Sequence, residues 1–195
     1  MNAPFSFLRL FGLFSIGTIL TLSSCKKSSG GGVGGSTNTS GYYLSATVNG
    51  KAWNANVAND SLKSPVLAGI DYTGVSYVLI VLGEQTAGKD TSAIALVFPE
   101  NITLNKTVAF NAAQSIEAVY AASATAGYNT VSPGGTTDDS LTVTTFDQTS
   151  KVIEGTFKGT FYRTTGSGTV KITDGKFRTP YLMDINSLPP SNVKF

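Results

Sequence analysis

The chain has no histidine and a single cysteine among its 195 residues, and only 13% of its residues are charged. Each shortage removes a class of chemistry. Without histidine there is no Ser-His-Asp triad and no Cys-His pair. The usual Cys/His zinc sites are excluded as well. One cysteine cannot close a disulfide within the chain. The charges nearly cancel, to a net +2, and apart from Lys26-Lys27 the basic residues are scattered. A nucleic-acid partner would need a basic stripe, so none is expected. Helical periodicity is almost missing from residue 42 onward.

What remains is a composition of 21 glycines and 41% hydrophobic residues. That is apolar enough to fill a core and unlike a disordered chain. The length suits one domain with appendages.

The first appendage reads as an export signal. A short head carries Arg9, residues 10–22 (LFGLFSIGTILTL) are uncharged and apolar, and Ser23-Ser24 are small. The charge-free core is about a dozen residues, short of the ~20 that span a bilayer as a helix. Leu22-Ser23-Ser24-Cys25 resembles the lipobox of bacterial lipoproteins: an aliphatic residue, two small ones, then cysteine. The resemblance implies a diacylglycerol joined to the Cys25 sulfur as a thioether, cleavage between Ser24 and Cys25, and acylation of the new amino group. The partner would then be the membrane itself, held through the acyl chains on Cys25. Each buried methylene contributes about 0.8 kcal/mol, so two or three chains anchor far better than one. A plain secretory signal with a chance cysteine, or an uncleaved helical anchor, are the alternatives.

Residues 26–41 (KKSSGGGVGGSTNTSG) hold one isolated valine and cannot build a core. They read as a tether with a reach on the order of 20 Å. The residue after Cys25 is Lys26 and not aspartate. By the sorting logic of lipoproteins this favours the outer membrane. The absence of acidic residues there tilts the expectation to the periplasmic face over surface display.

From residue 42 the pattern is short β-rich runs separated by turn signals, which predicts an all-β fold, a single antiparallel β-sandwich or barrel-like domain built of hairpins. YYLSATV meets Asn49-Gly50 and then KAWNANV, a type I′ hairpin signal. Residues 74–83 (GVSYVLIVLG) are the most apolar run and predict a central strand; AIALVF stops at Pro99. TVAF and SIEAVYAAS follow as weaker strands, with a short helix as the alternative for the second. Residues 124–140 read as a loop. Beyond it, SLTVTTF, VIEGTFKGTFYRT, TVKIT and KFRTPY read as four strands joined by turns at DQTSK, TGSG and Asp174-Gly175. Alternation puts Ile153, Gly155, Phe157, Gly159 and Phe161 on a core face and Glu154, Thr156, Lys158 and Thr160 on a polar one. The expected organisation is a leader at 1–24, a tether at 25–41, a domain at 42–183 and a tail at 184–195.

The combination VNGKAW, GTFKGTF and KITDGKF resembles an uncharacterised lipoprotein family of the Bacteroidota. The resemblance implies a lipoprotein with a β-rich mature domain. It carries no activity and no site residue.

Candidate chemistry is sparse. Asp71, Glu84, Glu100, Glu117, Asp147 and Glu154 are carboxylates that no motif pairs. Glycoside hydrolysis would need two of them facing each other. Asp60, Asp90, Asp147 and Asp174 read as turn residues. Asp138-Asp139 lacks the spaced acidic ladder of calcium loops and reads as a solvated turn. Trp53 and the eight tyrosines offer a sugar-stacking surface or, for Trp53 just after a tight hairpin, a core plug. The reading that results is a lipid-anchored envelope protein with no cofactor and no catalytic residue, a non-catalytic binding or structural module with a protein or glycan partner. The alternatives are a carboxylate-dependent glycan hydrolase and a surface adhesin or nutrient-uptake accessory.

Overall fold

A computed structural model describes residues 41–57, 64–72, 77–130 and 138–181, with backbone alone for Asp71 and Tyr72. The leader 1–24, the tail 184–195 and all but the last residue of the tether lie outside the described residues. So do Asp60 and Pro133-Gly134-Gly135. The described residues fall in one compact unit.

The fold is all-β, as the turn and alternation signals predict. Among the described residues, eleven strands form one curled antiparallel sheet: β1 (Tyr43–Val48), β2 (Lys51–Asn54), β3 (Val66–Tyr72), β4 (Tyr77–Ala87), β5 (Asp90–Pro99), β6 (Thr107–Ala109), β7 (Glu117–Ser123), β8 (Ala126–Asn129), β9 (Ser140–Asp147), β10 (Val152–Arg163) and β11 (Thr169–Pro180). The order is β2-β1-β11-β10-β8-β7-β5-β4-β3, with β9 and β6 branching from β10.

The curl brings distant strands together at two seams. Glu84 on β4 accepts hydrogen bonds at its carbonyl from the amides of Asn56 and Val57, just past β2. Ala68 on β3 forms a parallel bridge with Tyr181, just past β11. Inside the curl lie Leu44, Leu79, Ile94, Leu96, Phe98, Leu141, Ile153 and Phe161, all essentially inaccessible. At about 25 cal/mol per Å² of apolar surface, this interior is the main stabilising term.

The fork at β10 organises the rest. From Val152 to Lys158 this strand pairs with β9, and at Tyr162 and Arg163 it pairs with β8. Asp139 fills the gap between them. Its Oδ1 accepts the Thr160 amide at 2.7 Å. Gly159 leaves the room, because a Cβ there would lie 3.2 Å from the Asp139 Cγ.

Several expectations need correction. The 124–140 stretch holds β8, in which Gly127 and Asn129 are buried and Tyr128 packs on Tyr120 against the core. The weak local signal of AGYN is overridden by pairing with β7 and β10. Asp174-Gly175 is not a hairpin turn. Phe157 pairs with Gly175 and Gly159 with Ile172, so one residue of β10 faces two of β11 and the strand continues through a β-bulge. The positive φ that Asp-Gly advertises is real, at 54° for Asp174. The four C-terminal strands are therefore three. The apolar β4 is next to the edge strand β3, not central. Its hydrophobicity reflects burial at Val78, Leu79 and Val81. Residues 117–123 are a strand, preceded by a single 3-10 turn at Ala112–Gln114. The Asn49-Gly50 turn is as expected, with φ of 48° and 78° and Val48 opposite Lys51.

Candidate groove on the outer face

Strand alternation turns the polar residues of β10 outward, and register lines them up with polar residues of three neighbours. Thr107 pairs with Thr142, Thr142 with Thr156, and Thr156 with Lys176. The result is one polar row across β6, β9, β10 and β11. Within it the Thr107 and Thr142 hydroxyls are 2.9 Å apart. A second row places Ser140 opposite Lys158. The β11 bulge brings Asp174 alongside Lys158, and Asp138 stands at the start of β9. Together these residues line a shallow groove of about 510 Å³, with Gly175 and Phe157 also in its lining. Among the described residues, the only ion pair is Arg178 with Glu154, directly opposite each other on β11 and β10. Lys158 and Lys176 take part in no ion pair with a described residue. Asp174 Oδ2 accepts the Thr173 hydroxyl at 3.0 Å.

The groove owes its shape to crossed glycine–phenylalanine pairs beneath it. Gly155 faces Phe177, and Phe157 faces Gly175. A Cβ on Gly155 would come within 2.5 Å of both the Phe177 ring and the Thr142 carbonyl; one on Gly175 would come within 2.5 Å of the Phe157 carbonyl. Neither glycine can be replaced without moving backbone. Each ring instead covers the glycine opposite it.

The carboxylates singled out in the sequence are dispersed. Asp147 caps the β9–β10 turn. The Ser150 hydroxyl, the Ser150 amide and the Thr149 amide hold its carboxyl below the ordinary value. Burial pushes the Glu117 carboxyl up. Glu154 is engaged with Arg178. Asp90 closes the β4–β5 hairpin opposite Ala87. The Glu84 carbonyl belongs to the seam, Glu100 donates its amide to the Tyr77 carbonyl, and Asp71 is a backbone partner of Val78. Asp138 and Asp139 point apart. The first is exposed and the second is 4% exposed, at the fork. The solvated-turn expectation therefore holds for Asp138 and fails for Asp139, because the break in β-pairing draws its carboxylate inward. Among the described residues, no three His, Cys, Asp or Glu side chains gather as a metal site would require.

Trp53 is the core plug that its hairpin position suggests, 3% exposed, with Nε1 donating to the Ser92 hydroxyl at 2.8 Å. Tyr120 shares Ser92. Burial pushes its phenol up, the Ser92 hydrogen bond draws it down, and nearby Tyr128 adds a small upward push. Tyr181 meets Phe146 edge-on at 5.6 Å, and the Lys151 ammonium lies 5.0 Å from its ring centre. These aromatics serve packing. Leu22, Ser23, Ser24 and Cys25 lie outside the described residues.

Sequence reasoning placed Thr156 and Lys158 on a polar face but missed the groove. Its members run from residue 107 to residue 176, and only the register of four strands gathers them. The one local signal was Asp174-Gly175, which marks a bulge that sequence alone reads as a turn. Among the described residues, no helix is long and apolar enough to cross a membrane. Comparison with known proteins finds no matching family model, no matching curated protein and no matching solved structure.

Proposed function

We propose that this chain is a lipid-anchored protein of the bacterial envelope, attached through Cys25, whose β-domain is a non-catalytic binding or structural module at the periplasmic face of the outer membrane. The lipobox-like Leu22-Ser23-Ser24-Cys25 and the Gly/Ser tether support the anchor, as does the resemblance to Bacteroidota lipoproteins. The observation that carries the module reading is the use made of the polar side chains. Glu154, Asp147 and Asp139 each hold the sheet or a turn together, while four hydroxyls, Lys158, Lys176, Asp138 and Asp174 line one groove on the outer face.

The anchor is tested by expressing the full chain and Cys25→Ala in a lipoprotein-processing host fed labelled palmitate. The wild type takes up label and partitions with membranes, and the variant does neither. A Cys25→Ala protein that stays labelled and membrane-bound overturns the reading.

A glycan hydrolase is the second reading, because Asp138 and Asp174 line the same groove. Both are exposed, whereas a general acid usually sits against an apolar surface. Release of reducing ends by the wild type, abolished in Asp174→Asn, would put this reading first.

A further inference from the structure

We propose that the outer groove binds a segment of uncharged glycan, lying across β6, β9, β10 and β11. This rests on reading the domain as a binding module and names the ligand class of its groove.

The groove holds both halves of a hydrogen-bonding vocabulary. Lys158 and Lys176 are donors only, Asp138 and Asp174 are acceptors only, and the hydroxyls of Ser140, Thr107, Thr142 and Thr156 are both. A polyol needs this mixture, since each sugar hydroxyl donates and accepts at once. Other ligand classes fit less well. Two lysines and two aspartates line it, so the groove has no net charge to concentrate a polyanion or a polycation. An apolar ligand would take water from the hydroxyl row, and the Phe157 ring, 3% exposed, offers it little surface in return. The volume, about 510 Å³, lies within the range of small-ligand sites.

The geometry suits a chain more than a single sugar. Adjacent strands are about 4.8 Å apart, so the four-strand row offers polar groups over roughly 14 Å. Every residue on it sits on a strand, and the crossed glycine–phenylalanine pairs fix that floor from below. A rigid floor spares the ordering cost that a loop-built site would carry. The donors are also ready. Lys158 and Lys176 form no ion pair with any described residue.

The test is affinity electrophoresis of the detergent-solubilised full chain in gels containing a mixed-linkage glucan, a xylan, a galactomannan or polygalacturonate. The expected result is retardation by at least one neutral polysaccharide, insensitive to added salt. It should weaken about tenfold in the Thr142→Val/Thr156→Val variant and again in Lys158→Met. Valine matches threonine in shape and suits a strand, so melting of the double variant should stay near wild type and separate lost binding from lost fold. Three results overturn the proposal: no retardation by any of the polysaccharides, retardation by polygalacturonate alone and erased by salt, or retardation by a neutral polysaccharide that both variants keep. Each leaves the anchor untouched, since Cys25 is tested separately.

Discussion

The two faces of the β10–β11 pair share the same residues' backbone and ask opposite things of it. The inner face is glycine against phenylalanine, crossed, with backbone carbonyls within 2.5 Å of where a methyl would go. The outer face is threonine and lysine over water, with room to spare. Close packing makes the inner face intolerant of single atoms. Solvation makes the outer face tolerant of almost anything. The lesson is that stability and recognition are separated by one residue step along a strand, so each can be perturbed without the other.

The sharpest way to break the contrast is from inside. Phe177→Ala should cost about 3–5 kcal/mol in denaturant unfolding, since the ring covers Gly155 and lies 6.4 Å from Phe98. Gly175→Ala comes next, at about 1–3 kcal/mol or more, and shrinking Phe157 to leucine should not rescue it, because the clash with the Phe157 carbonyl remains when the ring is gone. Gly159 behaves differently, since its neighbour is a side chain. Asp139→Ala alone should cost about 1–3 kcal/mol by stranding the Thr160 amide at the fork, and it should make Gly159→Ala cheaper than in the wild type.

On the outer face the effects shrink. Glu154→Gln should cost about 0.2–1 kcal/mol at low salt and less as salt rises, the range of an exposed pair. A double-mutant cycle with Arg178→Met measures it.

Titration gives a further comparison, between Glu117 and Asp147. The Glu117 carboxyl is raised in the folded state by burial. The fold therefore holds its proton more tightly than the unfolded chain does, and stability declines as pH climbs from the ordinary value of 4.5 through the folded one. Glu117→Gln should remove that decline. Asp147 is lowered by its turn hydrogen bonds. Its contribution is present above the ordinary value of 3.8 and fades as pH falls through the folded one. Asp147→Asn should flatten the acid limb. Urea midpoints across the acid range decide both.

Much of the fold was readable in advance, for identifiable reasons. The alternation of Ile153 to Phe161 survives because one face is dry and the other wet, a period-two signal that needs no partner to be seen. Asn49-Gly50 forms its turn because two adjacent positive φ angles have few other uses. Asp174-Gly175 misled because its positive φ serves a bulge as well as a turn, and the choice depends on whether the flanking runs pair with each other or with strands on either side. Here β11 pairs with β10 on one edge and β1 on the other, so it stays a single strand. The β8 segment was missed because its four residues carry little apolar signal and gain order from neighbours. Asp139 was read as solvated because nothing local announces a fork 20 residues downstream.

By itself the sequence determined the strand-rich class, the faces of its strongest strands, the core position of Trp53 and the chemistry that a histidine-free chain gives up. These are local matters of composition, period and turn geometry. Only the tertiary structure decided the strand order, the seams that curl the sheet, the fork at Asp139 and the groove. All four depend on register between segments far apart in the chain, and register is set by which buried faces meet, which no single segment encodes.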